Sequence, residues 1–386
     1  MLLERENVAA GDGRRLKVGT AFVGRILRDA AGSHSPLQSR DAHLHAAVDW
    51  LKRAAAATPD GGVSYGYSIR GGWRPSYRET SGYIAVTFFD LARQLGDSES
   101  ERLARSVSDW LCEVQEDDGS IANPQYRANE GIVFDTGQVL LGYVRAFLET
   151  GEPRFREAAE RASSWLVSRL DEDGAWRRNT HLVNPHTYNT RVAWAMLECN
   201  DLAPNPDIET AARNNLDWAL RQENSGYFRH CAFEPDVAPF THTIAYSIRG
   251  FLESGRLLDE PKYADVAVRT ADAVLRHVRE DGWIPGQIGE DGKQAARYCC
   301  LTGNCQLAII WLKLYQSTRS ERYLDAARRS LGFVMEHQDL GTSDLDLRGA
   351  IKGSHPIWGR YAPLSYPNWA TKFFIDAMLL WREIEP

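Results

Sequence analysis

Two carboxylates and two histidines stand where apolar, helix-patterned segments begin. Glu79 lies in "YRETSGY", Asp135 in "IVFDTGQ", His186 in "NPHTYNTR" and His242 in "PFTHTIAY". Two carboxylates on neighbouring helices can serve as general acid and base at a glycosidic bond. A His or Tyr can instead take the C5 proton of a uronate, with Asn189, Asn368 or Arg191 steadying the charge that grows on the carboxylate. Glu130 and Asp281 are weaker candidates for the acid role. Each group also has a plain structural use: acids favour helix N-termini, and a buried His can satisfy a backbone carbonyl.

Flat rings and cations crowd the same stretches. "GYSIRGGWRPSYRETSGY" carries Arg70, Trp73, Arg74 and Tyr77. Tyr188 precedes Asn189, and Tyr298 follows a long loop. The last loop brings Lys352, His355, Trp358, Arg360, Tyr361 and Tyr366, and the helix after it Asn368, Trp369 and Lys372. Aromatic faces suit sugar rings, and Arg forks suit carboxylates or phosphates. The expected partner is therefore an anionic carbohydrate. A net charge of −7 argues against a nucleic acid. No apolar run reaches the roughly 18 residues of a membrane span. The N-terminal residues do not read as a secretory signal, and six Cys in 386 residues make no disulfide framework, so a reduced cytoplasm is expected. Cys299, Cys300 and Cys305 in "RYCCLTGNC" invite a zinc reading, yet adjacent Cys diverge and no second CxxC pair exists. They are expected to be small core residues, with no metal and no cofactor. The oligomeric state is left open.

The elements that must position these groups repeat. "DWLKRAAAATPDGG", "DWLCEVQEDDG", "SWLVSRLDEDG", "DWALRQENSG" and "AVLRHVREDG" recur at roughly 50 to 60 residues, with a degenerate sixth copy, "GFVMEHQDLG". Their Gly endings read as helix stops. Between them lie helices apolar around most of their circumference, such as "GYIAVTFFDLARQLG" and "GNCQLAIIWLKLYQST". One-sided outer helices thus alternate with buried inner ones. Six such pairs predict an all-α (α/α)6 toroid over 41–386, after an N-terminal extension of 1–40. No strands are evident. The outer-to-inner loops are long and the return turns short, so all six long loops gather on one face, where function is expected.

Paired "W–L…D–G" and "TG…RF/RY…AA" segments resemble the (α/α)6 toroid enzymes of carbohydrate metabolism: unsaturated-uronyl hydrolases, sugar 2-epimerases, and the toroids of uronate lyases and C5-epimerases. "DTGQVLLGYVRAFLETGEPRFREAAERASSWLV" resembles the hydrolase-type hairpin, whose inner-helix Asp is commonly the acid/base; that resemblance implies the role for Asp135 alone. Hydrolysis by carboxylates is the expected activity, with elimination or epimerisation by His or Tyr as the alternative. A terpene-cyclase-like toroid would need a DxDD or DDxxD motif, which is missing. A non-catalytic glycan-binding module would keep the rings and cations without a working acid.

Overall fold

The computed structural model describes residues 37–386 apart from 126, together with residues 24, 26, 27 and 29. Tyr126 and the Arg127 side chain, both in the second long loop, lie outside the described residues, as does most of the expected N-terminal extension. The chain divides into Met1–Ser33 and His34–Pro386. The four described residues of the first unit are helical.

The second unit alternates outer and inner helices. The outer ones are α1 (Arg40–Ala56), α3 (Ser98–Glu113), α5 (Pro153–Arg169), α7 (Pro206–Leu220), α9 (Pro261–Leu275) and α11 (Glu321–Glu336). The inner ones are α2 (Arg78–Leu95), α4 (Val133–Thr150), α6 (Thr190–Leu202), α8 (Thr241–Leu257), α10 (Leu301–Thr318) and α12 (Asn368–Ile384). Each inner helix packs on the next, and α12 returns to α2, so the ring closes. The first outer helix, α1, pairs with the last inner one. This is the expected (α/α)6 toroid.

Small residues set how closely the inner helices approach. A Cβ on Gly82 of α2 would stand 2.5 Å from the Val139 Cα of α4, and one on Gly250 of α8 would meet the Thr190 backbone at 2.4 Å. The repeated Gly after each outer helix has a different task from a helix stop. Gly61, Gly119, Gly174, Gly226, Gly282 and Gly349 all hold φ between 83° and 95°. Each lies in a turn against the next outer helix; a Cβ on Gly282 would fall 2.0 Å from the Arg329 carbonyl oxygen. Only Gly combines that φ with that approach. In the sixth repeat the position belongs to Gly349, not to the expected Gly341.

Among the described residues nine short strands, which the sequence pattern did not announce, decorate the long loops. Most are two or three residues long, too short for alternation to register. Gly66–Ser68 pairs with both Gly72–Trp73 and Ser365–Pro367, zipping the first loop to the last across the seam.

None of the inner helices has a side-chain N-cap. Their free N–H groups are met by the neighbouring loop instead. Val133 N–H donates to the Asn179 carbonyl (2.8 Å), Thr241 to Gly286 (3.1 Å), Leu301 to Gly353 (3.1 Å) and Asn368 to Tyr65 (3.0 Å). Thr187, just ahead of α6, donates to His230 (2.9 Å). The Arg78 guanidinium completes the circuit on the Ala122 carbonyl (3.1 Å). Each loop therefore locks the start of an adjacent inner helix, and the six starts form one rigid rim.

Candidate active site

At that rim the structure brings Glu79 and Asp135 together, on the first turns of adjacent helices. Tyr77 donates its hydroxyl to Glu79 Oε2 (2.8 Å), and Asn123 donates an amide N–H to Asp135 Oδ2 (3.0 Å). Both carboxyls are held well above the ordinary range. Burial is the main cause for each; the Asp135 charge pushes Glu79 higher still, against the pull of Tyr77 and Arg191. Each carboxyl therefore resists ionisation more than a free acid does.

A ring of aromatic side chains encloses the pair. Tyr65 meets Tyr77 (5.0 Å between centroids) and Trp369 (4.7 Å), whose indole N–H donates to the Tyr361 hydroxyl (2.7 Å). Tyr361 continues to Phe240 (5.1 Å) and His242 (5.0 Å). His242 touches Tyr246 (4.4 Å), and Phe134 bridges Tyr246 and Tyr188. Burial pushes the hydroxyls of Tyr83, Tyr188 and Tyr246 up, and the Glu79 charge adds to it in each. Asp135, Tyr188, His242 and Tyr361 are each buried, roofed in part by Phe233 and Phe240. The Arg74 guanidinium lies over the Tyr65 ring at 4.5 Å, and the Arg78 and Arg191 charges act on Asp135 and Glu79 respectively. Arg70, Trp358 and Arg360 are exposed in the first and last loops.

The two histidines part company. His186 stacks on Tyr188 at 4.6 Å, but Nδ1 and Nε2 face the Ala232 and His181 carbonyls at 3.0 and 2.9 Å. Burial lowers it to about 4, and neither nitrogen is open to take a proton. This placement is structural, contrary to the expectation. In His242, Nδ1 meets Gln306 Oε1 at 2.9 Å, which sets the tautomer with a bare Nε2. Burial lowers this ring to about 3, so it is neutral.

Several expected contacts point elsewhere. Trp73 packs on Trp50 of α1 (5.3 Å) and donates its indole N–H to Asp346 (3.0 Å), sealing the seam. Tyr366 is paired with Tyr67 in that seam sheet. Asn368 spends both amide protons on Ser64 and Thr80, binding the last inner helix to the first. Lys352 and His355 meet at 2.9 Å, with His355 against His337 and Phe333 of outer helix α11. Tyr298 donates to Gln287 (2.8 Å) at the edge of the mouth. Lys372 and Arg191 lie below the ring: Lys372 pairs with Asp376, and Arg191 donates to Gln138 Oε1 (2.6 Å). Asp281 accepts from the Trp283 amide within a turn (2.9 Å). Among the cysteines, Cys299 donates to Asn304, Cys231 meets Ser247 (3.4 Å), and burial raises these thiols, as befits protonated core groups.

Asn189 is buried, with neither amide atom hydrogen-bonded among the described residues. Such an amide costs about 1–3 kcal/mol unless a ligand or water meets it. Asn123, Tyr83, Tyr246 and Gln306 were not foreseen in the sequence. Tyr83 and Tyr246 each follow a candidate, Glu79 and His242, by four residues, which is the spacing of one helical face. Asn123 and Gln306 left no comparable signal.

No protein-family model matches the chain, and no curated protein is similar to it in sequence. Solved structures are similar in fold. The unsaturated glucuronyl hydrolase of Bacillus sp. GL1 superposes with a TM-score of 0.71 at 15% identity, over 88% of this chain and 96% of its own. Cellobiose 2-epimerase from Bacillus thermoamylovorans B4167 gives 0.66 at 12%, over 94% and 100%. A D-mannose isomerase gives 0.66 at 14%, over 88% and 97%. Identity this low carries architecture alone, and in architecture the chain is an (α/α)6 toroid.

Proposed function

We propose that the protein is a glycoside hydrolase acting on a uronate- or phosphate-bearing sugar, with Glu79 as general acid and Asp135 as base or nucleophile. One observation carries this reading: a buried Asp135 and a half-buried Glu79, both raised by desolvation and Glu79 further by the Asp135 charge, beside a chain of aromatic faces. Protonated Glu79 would donate to the glycosidic oxygen while ionised Asp135 acts on water or on the anomeric carbon. The name of one fold relative, a glucuronyl hydrolase, agrees with a uronate substrate, as do Arg70, Arg74 and Arg360 around the mouth. The test is a panel of uronate-bearing and phosphorylated oligosaccharides with wild type, Asp135→Asn and Glu79→Gln. Reducing-end release should fall about 10³-fold or more in each variant while glycan binding persists. Release that survives both substitutions would sink the assignment; binding without any turnover would indicate a glycan-binding module.

A second reading rests on the bare Nε2 of His242, a base for proton abstraction in an epimerase or lyase. Solvent deuterium entering the sugar, lost in His242→Gln and kept in Asp135→Asn, would favour it over hydrolysis.

A further inference from the structure

The inner ring holds a second chamber at its other end. A cavity of about 370 Å³ is bordered by Asp90, Gln94, Arg145, Leu148 and Glu383, all near the C-termini of their helices. Asp90 is eleven residues along α2 from Glu79, about 16 Å at 1.5 Å per residue. Tyr83, Tyr246 and Phe373 lie between the two levels, with Phe373 5.4 Å from Tyr83 and 6.1 Å from Tyr246.

The cations of this cavity are unevenly paired. Arg249 and Lys313 share one carboxylate, Glu253, at 2.5 and 2.9 Å. Lys372 has Asp376. Arg191 has no carboxylate partner among the described residues. Elsewhere on the lining Asp90 pairs with Arg93 (3.2 Å) and Arg145 (2.8 Å), Arg145 also with Glu149 (2.7 Å), and Glu198 and Glu383 accept from Trp194 and Gln94 (both 2.8 Å). Arg191, Arg249, Lys313 and Lys372 have between them Glu253, which also meets Arg256 (3.4 Å), and Asp376. Helix dipoles do not account for them, because Arg191 is the second residue of α6 and Lys372 the fifth of α12.

Arg191 is the sharpest case. It is 3% exposed yet lines the cavity. Trp194, Tyr246, Phe373 and Tyr83 lie 5.0 to 5.8 Å from its guanidinium carbon. Of its five N–H groups, the one on Nε reaches Gln138 (2.6 Å); those on the two terminal nitrogens have no hydrogen bond among the described residues. Aromatic rings stabilise a cation electrostatically but do not replace hydrogen-bond acceptors at its edge. A desolvated guanidinium with an unused fork is what an incoming oxyanion would meet.

We propose that this lower cavity is a second binding site, taking a small molecule with an oxyanion head, carboxylate or phosphate. Arg191 supplies the forked contact and Arg249, Lys313 and Lys372 the surrounding charge. Leu141, Val144, Ile309 and Leu380 offer the rest of the ligand an apolar wall. The volume suits a sugar-sized body. Burial lowers Arg191 and Lys372, and the Arg249 charge together with burial lowers Lys313; a bound anion would relieve all three.

Calorimetric titration of the full chain with sodium phosphate and with sodium glucuronate, against chloride at equal ionic strength, tests the site. At least one probe should bind saturably. Arg191→Gln should weaken it about tenfold or more. Leu380→Trp, which fills the cavity without touching a cation, should abolish binding while the melting temperature stays near wild type. Phosphate alone, glucuronate alone or both would each support the site and name its ligand class. No binding of either probe overturns the proposal. Undiminished binding in Leu380→Trp overturns it too, because the anion would then sit elsewhere, the upper carboxylate site included. If Arg191→Gln fails to fold, Leu380→Trp decides.

Discussion

Replacing Gly82 by Ala tests whether the approach of α2 and α4 builds the carboxylate pair. The new Cβ would lie 2.5 Å from the Val139 Cα and 2.6 Å from the Gln138 carbonyl oxygen. Ordinary contacts are about 3.5–4.0 Å, so the helices must part by about 1 Å, since backbone on both sides leaves no flexible atom to yield. Overpacking of this kind costs about 1–3 kcal/mol, reduced by up to about 1 kcal/mol of Ala helix propensity. A net loss of about 2 kcal/mol, at ~2.1 cal/mol/K per residue over roughly 350 residues, lowers the melting temperature by about 3 °C. Gly332→Ala is the matched control. It lies within α11, with no atom within 4 Å of its would-be Cβ, so the same chemical change should raise stability by about 0.5–1 kcal/mol. Thermal unfolding by circular dichroism reads both. Gly82→Ala should also cut turnover about 100-fold, because Glu79 lies one turn from the displaced contact. A Gly82→Ala protein as stable as wild type would refute the packing argument, and one with full turnover would refute its link to the site.

Three further outcomes follow from buried charge. Glu79→Gln combined with Asp135→Asn should be inactive yet more stable than wild type at pH 8. Both folded carboxyls are raised, so ionising them costs folding stability as pH climbs; unchanged or lower stability at pH 8 would contradict that burial. His242 is depressed to about 3 from 6.5, so the unfolded chain takes up its proton first. Its contribution is complete above about pH 6.5 and fades as pH falls toward about 3, at up to ~1.4 kcal/mol per pH unit. His242→Gln should flatten the acid limb of a stability–pH curve by that much, and an unaltered limb would count against a buried neutral ring. Glu253, 3% exposed between Arg249 and Lys313, is held down to about 2 from 4.5. Its contribution is present above pH 4.5 and is lost as pH falls through about 2. Glu253→Gln strands Arg249 and Lys313, releases the exposed Arg256, and should cost about 3–5 kcal/mol by urea unfolding at pH 7, whereas a loss below about 1 kcal/mol would show the pairs to be solvent-screened.

The ring of helices could be read from the sequence because its signals are local. A Trp on an outer helix, then an acidic turn and a Gly, repeats because each turn Gly needs positive φ against the next outer helix, and no other residue meets both demands at Gly174 or Gly282. The long loops could likewise be assigned to one face, since inner helices of a closed ring run in parallel. Which side chains enter the cup was not local. Trp73 and Trp369 look alike in sequence, but Trp73 packs outward on Trp50 while Trp369 closes on Tyr65 and Tyr361. The difference lies in the seam strands, whose register depends on residues nearly 300 positions apart. Arg191 and Lys372 misled for a related reason. Each opens an inner helix near the mouth, but its long side chain reaches past the aromatic ring to the chamber below.

The carboxylates are the instructive case, because their chemistry comes from a glycine. Glu79 and Gly82 are three apart, Asp135 and Gly137 two apart, and a Cβ on Gly142 would in turn meet the Gly82 carbonyl oxygen at 2.6 Å. Helices that touch through such positions approach more closely than Leu or Ile would permit, and acids one turn away are drawn into a shared, water-poor space. Burial raises both carboxyls, and Glu79 is raised further by the Asp135 charge. An acid alone at a helix start reads as a favourable dipole partner. On α2 and α4 the acids lie near the close approach marked by Gly82 and Gly142, whereas Gly137 packs on Val192 of α6. The corresponding starts of α6, α8, α10 and α12 lack the acid, so among the six starts only those of α2 and α4 bring two carboxyls together.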